Sequence, residues 1–350
     1  MRRHHWPVLA CLLLLVTHAT SRAAEPPTVA IVATGGTIAM KVDPATGTPK
    51  PALSGEDLIA AVPELRELAT VRVVEFSNIP SYYMGPDRWP GLSRRIDEVL
   101  ADPGVAGVVV THGTDTLEDT AYFLDLTLKS DKPVVLVGAQ RNASEGDTDG
   151  PRNIANAVRQ VLAEGAAGKG VTVTMNHFIN AARPATKTHT NNVETFQSGE
   201  YGYLGYVDAD RVIFFHEPLR RQRLPLPEAE LPRVDLVPMY PGADGGHVRH
   251  AVDAGAQGIV VEAYGWGNVN EAMYEAIEYA RGKGVPVVVS TRVPNGRVLP
   301  VYASKGGGAT LKRLGAVYGD DLSSWKARVL LMLALPQTRD PARLQAYFDR

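Results

Sequence analysis

Cysteine is almost missing from this 350-residue chain, and the only one is Cys11. It lies inside the apolar stretch Val8 to Val16, which follows Arg2, Arg3, His4 and His5 and precedes the small-residue run Ser21-Arg22-Ala23-Ala24. A basic start, a short apolar segment and small residues at its end make a secretory leader, assigned here to residues 1–24. The mature chain is then expected to be periplasmic or secreted and to hold no cysteine, which excludes disulfides and thiolate chemistry. A lipoprotein cysteine would follow the apolar run rather than sit within it, so no lipid anchor is expected.

Long apolar runs are missing as well. The leader's apolar run, Val8 to Val16, is shorter than the roughly 20 residues a membrane span needs, and no later segment is long and charge-free enough, so no membrane partner is expected. There is no basic excess: removing Arg2, Arg3 and Arg22 leaves 36 − 3 = 33 basic residues against 38 acidic ones, a formal charge of −5. That argues against nucleic acid as a partner, because its binders present a basic patch. Histidines are scattered, with His247 and His250 three apart and His177 and His189 elsewhere, and none completes a ligand spacing, so no metal is expected. Gly35-Gly36 follows a strand-like run, yet G-x-G-x-x-G is not matched and no phosphate-loop lysine follows, so no cofactor is expected.

With 45% hydrophobic residues and 33 glycines, the chain can bury a large core, and its length fits two domains. Apolar β-branched runs recur at Val29–Ala33, Val71–Phe76, Val105–Val110, Pro133–Val137 and Val171–Met175. Segments with apolar residues at three- and four-residue spacing alternate with them, such as Glu56–Val62 and Asp119–Leu126, and Asp149-Gly150-Pro151 starts another helix. This alternation predicts an α/β unit over 25–216 with a mainly parallel sheet. A stretch rich in proline, arginine and glutamate, 217–233, reads as a linker. The pattern restarts in a smaller α/β unit over 234–350, with strands at Val234–Val237, Gly258–Val261 and Pro286–Val289 and helices at Asn270–Ala280 and Ser323–Leu335.

Two turns stand out against that frame. Thr34-Gly35-Gly36-Thr37-Ile38-Ala39 and Thr111-His112-Gly113-Thr114-Asp115-Thr116 each follow an apolar strand. Glycine and hydroxyl residues there bring backbone N–H groups and side-chain oxygens to the carboxyl edge of the sheet, where open α/β folds bind ligands. Each residue also has a structural reading: threonine and glycine are common turn formers, Asp115 could cap a helix starting near Leu117, and a lone Lys187 would be a solvated surface residue. His112 is read as structural.

In chain order, "ATGGTIA", "THGTDTLEDTAYFLDL" and "PATKTHTNNVETF" closely resemble the bacterial type II L-asparaginase and glutaminase-asparaginase family. "DKPVVLVGAQR", "DGPRN", "YGYLGY", "STRVPNG" and "KARVLL" extend the resemblance from about Val29 to the end of the chain. It implies a two-domain α/β fold, hydrolysis of asparagine and often glutamine through a covalent acyl-enzyme, and a homotetramer with sites completed across subunits. Thr37 is then the acyl acceptor, with Thr114, Asp115 and Lys187 as the second threonine, the acid and the lysine. The chemistry fits: a threonine hydroxyl is too weak an acid to ionise unaided, so a lysine beside a carboxylate can take its proton. Substrate contacts fall on Ser81, Tyr82, Thr114, Asp115 and Asn268 by the same resemblance.

Three departures concern the surroundings of that centre. Where the family has a tyrosine in the loop after the first turn, "GTPKPALSGEDLIAAVPEL" places Thr48. "NIPSYYMG" keeps Ser81 but follows it with Tyr82 and Tyr83 rather than glutamine or glutamate. "RVLPVYASKGGGATL" has no counterpart of the glutamate contributed by a neighbouring subunit, whereas Asn268 in "YGWGNVN" matches the other cross-subunit polar residue. One of the two tyrosines either partly replaces the missing hydroxyl or reshapes the pocket toward a different or larger amide, or else both only pack at the domain surface. A periplasmic ligand-binding protein without turnover is the alternative class; joint retention of Thr37, Thr114, Asp115 and Lys187 favours the enzyme. The glycine, proline and polar residues of 40–54 read as a lid.

Overall fold

The computed structural model describes residues 26–218 and 221–349, so the leader and Cys11 lie outside the described residues. The larger unit is built on eight strands, numbered along the chain as β1 (Thr28–Gly35), β2 (Thr70–Ile79), β3 (Val105–Thr111), β4 (Val134–Val137), β5 (Val171–Met175), β6 (Phe178–Ala181), β7 (Gly205–Val207) and β8 (Val212–Phe214). Their order across the sheet is β8-β7-β6-β5-β4-β3-β1-β2. The five strands β2, β1, β3, β4 and β5 run parallel. Parallel strands covered on both faces read as continuous Val/Ile runs, and β1 and β3 pair Ile31 with Val109 in the fully buried middle of the sheet.

Parallel neighbours need crossovers. Helices α1 (Trp89–Leu100), α2 (Leu117–Thr127) and α3 (Gly150–Leu162) supply them between β2 and β3, β3 and β4, and β4 and β5. Helix α3 opens at Gly150 with Pro151 as its second residue, where the missing proline N–H costs nothing. The parallel series ends at Asn176 and His177, whose φ angles of 46° and 70° form a two-residue reversal that pairs Met175 with Phe178. Beyond it β6, β7 and β8 add on antiparallel.

The smaller unit is a parallel four-stranded sheet in sequential order: β9 (Val234–Pro238), β10 (Gly258–Ala263), β11 (Val287–Thr291) and β12 (Val317–Tyr318). Helix α4 (Glu271–Gly282), capped by the Asn270 side chain on the Met273 N–H, packs Met273 and Ile277 on one face with Ile259, Val261 and Val289. The other face shares a core with the large unit. Helix α5 (Ser324–Ala334) is buried nearly all round, and its Leu330, Leu331 and Leu333 join Phe123 and Leu124 of α2 to Val260 and Val288 in one apolar cluster.

Two segments differ from their sequence reading. The proline-rich stretch after 217 is docked: Leu224 is buried with its N–H on the Leu126 carbonyl at 2.7 Å, and Gln222 Nε2 donates to the Tyr347 carbonyl at 2.9 Å. The stretch read as a lid is a hairpin, Met40–Asp43 against Thr48–Pro51, tied at its base where the Ala143 N–H donates to the Met40 carbonyl at 3.0 Å.

Candidate active site

From β1 the chain passes to β2 on one side and then to β3 on the other, so the carboxyl ends of β1 and β3 flank the point where the winding reverses. Open α/β sheets bind ligands in the crevice that this reversal leaves. Both threonine turns lie there. Their approach depends on missing side chains: a Cβ on Gly36 would stand 2.2 Å from Gly113 Cα and N, and one on Gly113 would stand 2.7 Å from Ser81 Oγ. Gly36 has φ 87° and ψ −176°, backbone territory that is essentially reserved for glycine.

Several hydroxyls near the crevice hold the turns together. Thr34 Oγ1 donates to the Thr111 carbonyl and Thr116 Oγ1 to the Ser81 carbonyl, each at 2.7 Å. The Gly36 N–H donates to the Ile79 carbonyl at 2.9 Å. Thr37 starts a short 3-10 turn, Thr37–Ala39, and is half-buried.

Thr114 is buried, and its Oγ1 accepts a hydrogen bond from Lys187 Nζ at 2.9 Å. Lys187 Nζ also donates to Asp115 Oδ1 at 2.7 Å. The side chain of Lys187 is 15% exposed and that of Asp115 62%, so the pair has a largely enclosed amine end and a carboxylate open to solvent. Lys187 reaches this place on a two-residue strand, Thr186–Lys187, paired antiparallel with Phe196–Gln197. Lysine, threonine and aspartate are thus in direct contact; no hydrogen bond joins Lys187 to Thr37 among the described residues, and the two turns meet instead through Gly36 and Gly113. Asp115 does not cap α2, whose N-cap is Thr116.

His112, in the second turn, is fully buried, with Nδ1 2.7 Å from the Gly113 carbonyl. Burial pushes its pKa down to about 4, so the ring is neutral near pH 7, as a structural residue would be. Ser81 is buried against Gly113, but Tyr82 and Tyr83 are 65% and 57% exposed, with their ring centroids 4.7 Å apart. Thr48 lies on the hairpin opposite Asp43, its Oγ1 2.8 Å from Thr46 Oγ1. Asn268 stands in the small unit, where it bridges to Tyr264 and accepts from the Gly308 N–H at 3.3 Å. Within one chain it makes no hydrogen bond to the threonine centre among the described residues.

Three residues that the sequence reading passed over grip Lys187 from behind. Glu118 Oε1 accepts the Lys187 N–H at 3.3 Å, Glu118 Oε2 accepts Trp325 Nε1 at 3.0 Å, and Lys326 Nζ lies 3.9 Å from the same carboxylate. No local signal marked them: Lys326 is followed by Ala327 and Arg328 before the wholly apolar run Val329–Leu335 begins.

Comparison with known proteins identifies the family. The family model "Asparaginase, N-terminal" matches residues 28–220, and "Glutaminase/Asparaginase C-terminal domain" matches 233–348. The chain is 42% identical to "L-asparaginase 2" of Bacillus subtilis, over 94% of this chain and 88% of that protein. It is 39% identical to "Probable L-asparaginase periplasmic" of Haemophilus influenzae, over 97% of each. Among solved structures it resembles "Probable Cytoplasmic L-asparaginase from Campylobacter jejuni", with a TM-score of 0.86 and 40% identity over 93% of this chain and 99% of that one. With both family models matched in order and relatives aligned along nearly its whole length, the chain belongs to the asparaginase family.

Proposed function

We propose that this protein hydrolyses the side-chain amide of L-asparagine to L-aspartate and ammonia through an acyl-enzyme on Thr37. The observation that carries the reading is the contact of Lys187 Nζ with Thr114 Oγ1 and Asp115 Oδ1, at 2.9 and 2.7 Å, one glycine–glycine contact away from Thr37. Thr37 Oγ1 attacks the amide carbon, its proton passes to the leaving nitrogen, and ammonia departs from the tetrahedral adduct to leave an ester. Water, deprotonated through Thr114 and Lys187, then attacks that ester and releases the acid and the Thr37 hydroxyl. The Gly35-Gly36 turn is suited to offer N–H donors to the oxyanion. Asp115, open to solvent on one side, pairs with the substrate α-ammonium, and Ser81 and Tyr82 face its carboxylate.

Glutamine is a second substrate in this reading, favoured by 36% identity over 97% of this chain to a Pseudomonas fluorescens protein named "Glutaminase-asparaginase". Asn268 lies far along the chain in the small unit and serves a neighbouring subunit's site, in a homotetramer. The leader pattern of residues 1–24 and the Haemophilus relative's name support a periplasmic or secreted location, and 25–216 and 234–350 act as the two domains. The test is ammonia release from asparagine by the purified mature protein and by Thr37→Ala and Thr114→Ala. Activity lost in both variants, with folding intact, supports the reading; tight asparagine binding without ammonia would replace it with that of a binding protein.

A further inference from the structure

Lys326 is a charged residue in the first turn of helix α5, and it is 2% exposed. Lysine is almost never buried to this extent unless its charge is matched. Its Nζ donates to the Ala182 carbonyl at 3.0 Å, to the Arg183 carbonyl at 2.7 Å, and to the Ala185 carbonyl. These carbonyls belong to the turn that leads straight into Thr186–Lys187. An ammonium has three donors, and all three are used; the neutral amine has two, and would leave one buried carbonyl without its partner.

A second arm reaches the same lysine. Glu118 faces Lys326 at 3.9 Å, takes the Trp325 indole N–H on one oxygen and the Lys187 main-chain N–H on the other. Glu118 sits in the first turn of α2, three residues after Asp115. Lys326 thus holds the turn just before Lys187, while Trp325 holds Glu118, the residue of α2 that accepts the Lys187 main-chain N–H.

We infer that Lys326 is a positioning residue for Lys187, acting through the 182–185 carbonyls and Glu118 to set the Lys187–Thr114–Asp115 contact. This rests on the proposed role of Lys187. It is distinct from catalysis by Lys326 itself, whose three donors are spent on main-chain carbonyls. A pH dependence follows, because three carbonyls are satisfied only by the ammonium. Burial pushes the Lys326 pKa down to about 8, while Glu118 and Asp119 hold it up and Arg183 depresses it further. Above that pH one carbonyl loses its donor and the turn before Lys187 loosens.

The experiment measures kcat, KM, the pH profile of kcat and thermal melting for the wild type, Lys326→Met, Glu118→Gln and Lys187→Met. Wild-type ammonia release that vanishes in Lys187→Met secures the underlying reading, and its absence would fail that reading rather than this inference. For a folded Lys326→Met, kcat should fall about tenfold to a hundredfold with KM changed far less, since a misplacement near 1 Å at the reacting groups costs about that much. Its alkaline limb near pH 8 should disappear. In Glu118→Gln the limb should move to lower pH, because the carboxylate that keeps Lys326 charged is gone. A Lys326→Met enzyme with kcat within about twofold of wild type, or with the limb intact, overturns the inference. If Lys326→Met does not fold, Glu118→Gln decides: a limb that moves to lower pH supports the inference and an unmoved limb overturns it.

Discussion

Replacing Gly36 with alanine should separate the two threonine turns, and the cost can be worked from the backbone. The new Cβ would lie 2.2 Å from Gly113 Cα and N, whereas carbon atoms prefer about 3.5–4.0 Å, so one turn has to retreat by roughly 1.5 Å. The obstacle is main chain on both sides and cannot rotate away. Gly36 also sits at φ 87° and ψ −176°, where a non-glycine residue costs about 1–3 kcal/mol before any clash is counted. A total loss of about 2–4 kcal/mol is expected, which in a unit of this size lowers Tm by roughly 5–15 °C. Activity should suffer beyond that, because Thr37 is the next residue: a displacement of this order costs about a hundredfold in kcat, or about 2.7 kcal/mol of barrier.

Two companion variants separate the causes. Gly47 has φ 66° with nothing within 4 Å of its would-be Cβ, so Gly47→Ala should show only the conformational penalty, about 1 kcal/mol, with wild-type kcat. Gly113 lies outside the left-handed region, and its Cβ would meet the Ser81 side chain at 2.7–2.8 Å, where a rotamer change relieves part of the clash. Gly113→Ala should therefore fall between the other two. Ammonia release and thermal melts read all three variants. Gly36→Ala with kcat within about twofold of wild type, or melting no lower than Gly47→Ala, would refute the idea that the glycine pair sets the spacing of the centre.

What the sequence shows of this molecule follows the range of the interactions involved. The runs at Val29, Val105, Val134 and Val171 are legible because a parallel strand buried on both faces must be apolar throughout. The antiparallel additions at Phe178, Gly205 and Val212 are three or four residues long, and the reversal before them uses Asn176-His177 rather than a glycine-bearing pair, so neither length nor turn chemistry announces them. In the site, Thr37, Thr114 and Asp115 are legible because they sit on turns that the strands themselves place. Lys187 lies 73 residues from Thr114, and only its motif connects the two. Lys326 is 141–144 residues from the carbonyls it holds, and nothing local distinguishes it from a surface lysine until the helix is packed on both sides. Tyr82 and Tyr83 are legible as a departure from the family, yet which way the rings face is decided by the short turn Ser81–Tyr83.

The exposed tyrosine pair and the buried ionisable groups give the remaining predictions. Tyr82→Phe and Tyr83→Phe should leave stability within about 0.5 kcal/mol, while loss of one substrate hydrogen bond would raise KM for asparagine about fivefold; unchanged kinetics in both variants would assign the pair to the surface alone. His112 and Asp119 should oppose each other as the solution is acidified. The His112 pKa falls on folding from 6.5 to about 4, so between those values the unfolded chain binds the extra proton and stability drops as pH falls, by about 3 kcal/mol in all at 1.36 kcal/mol per unit. Burial, with Glu118 beside it, raises Asp119 from 3.8 to about 7, so there the folded chain binds the extra proton and stability rises as pH falls through the same window. The two slopes nearly cancel in the wild type, and each variant uncovers the other: denaturant unfolding of His112→Gln should show stability gained relative to wild type on going from pH 6.5 to 4, and Asp119→Asn stability lost. Parallel pH curves for all three proteins would mean that neither group changes its proton affinity on folding, and the neutral buried imidazole in the second threonine turn would have to be abandoned.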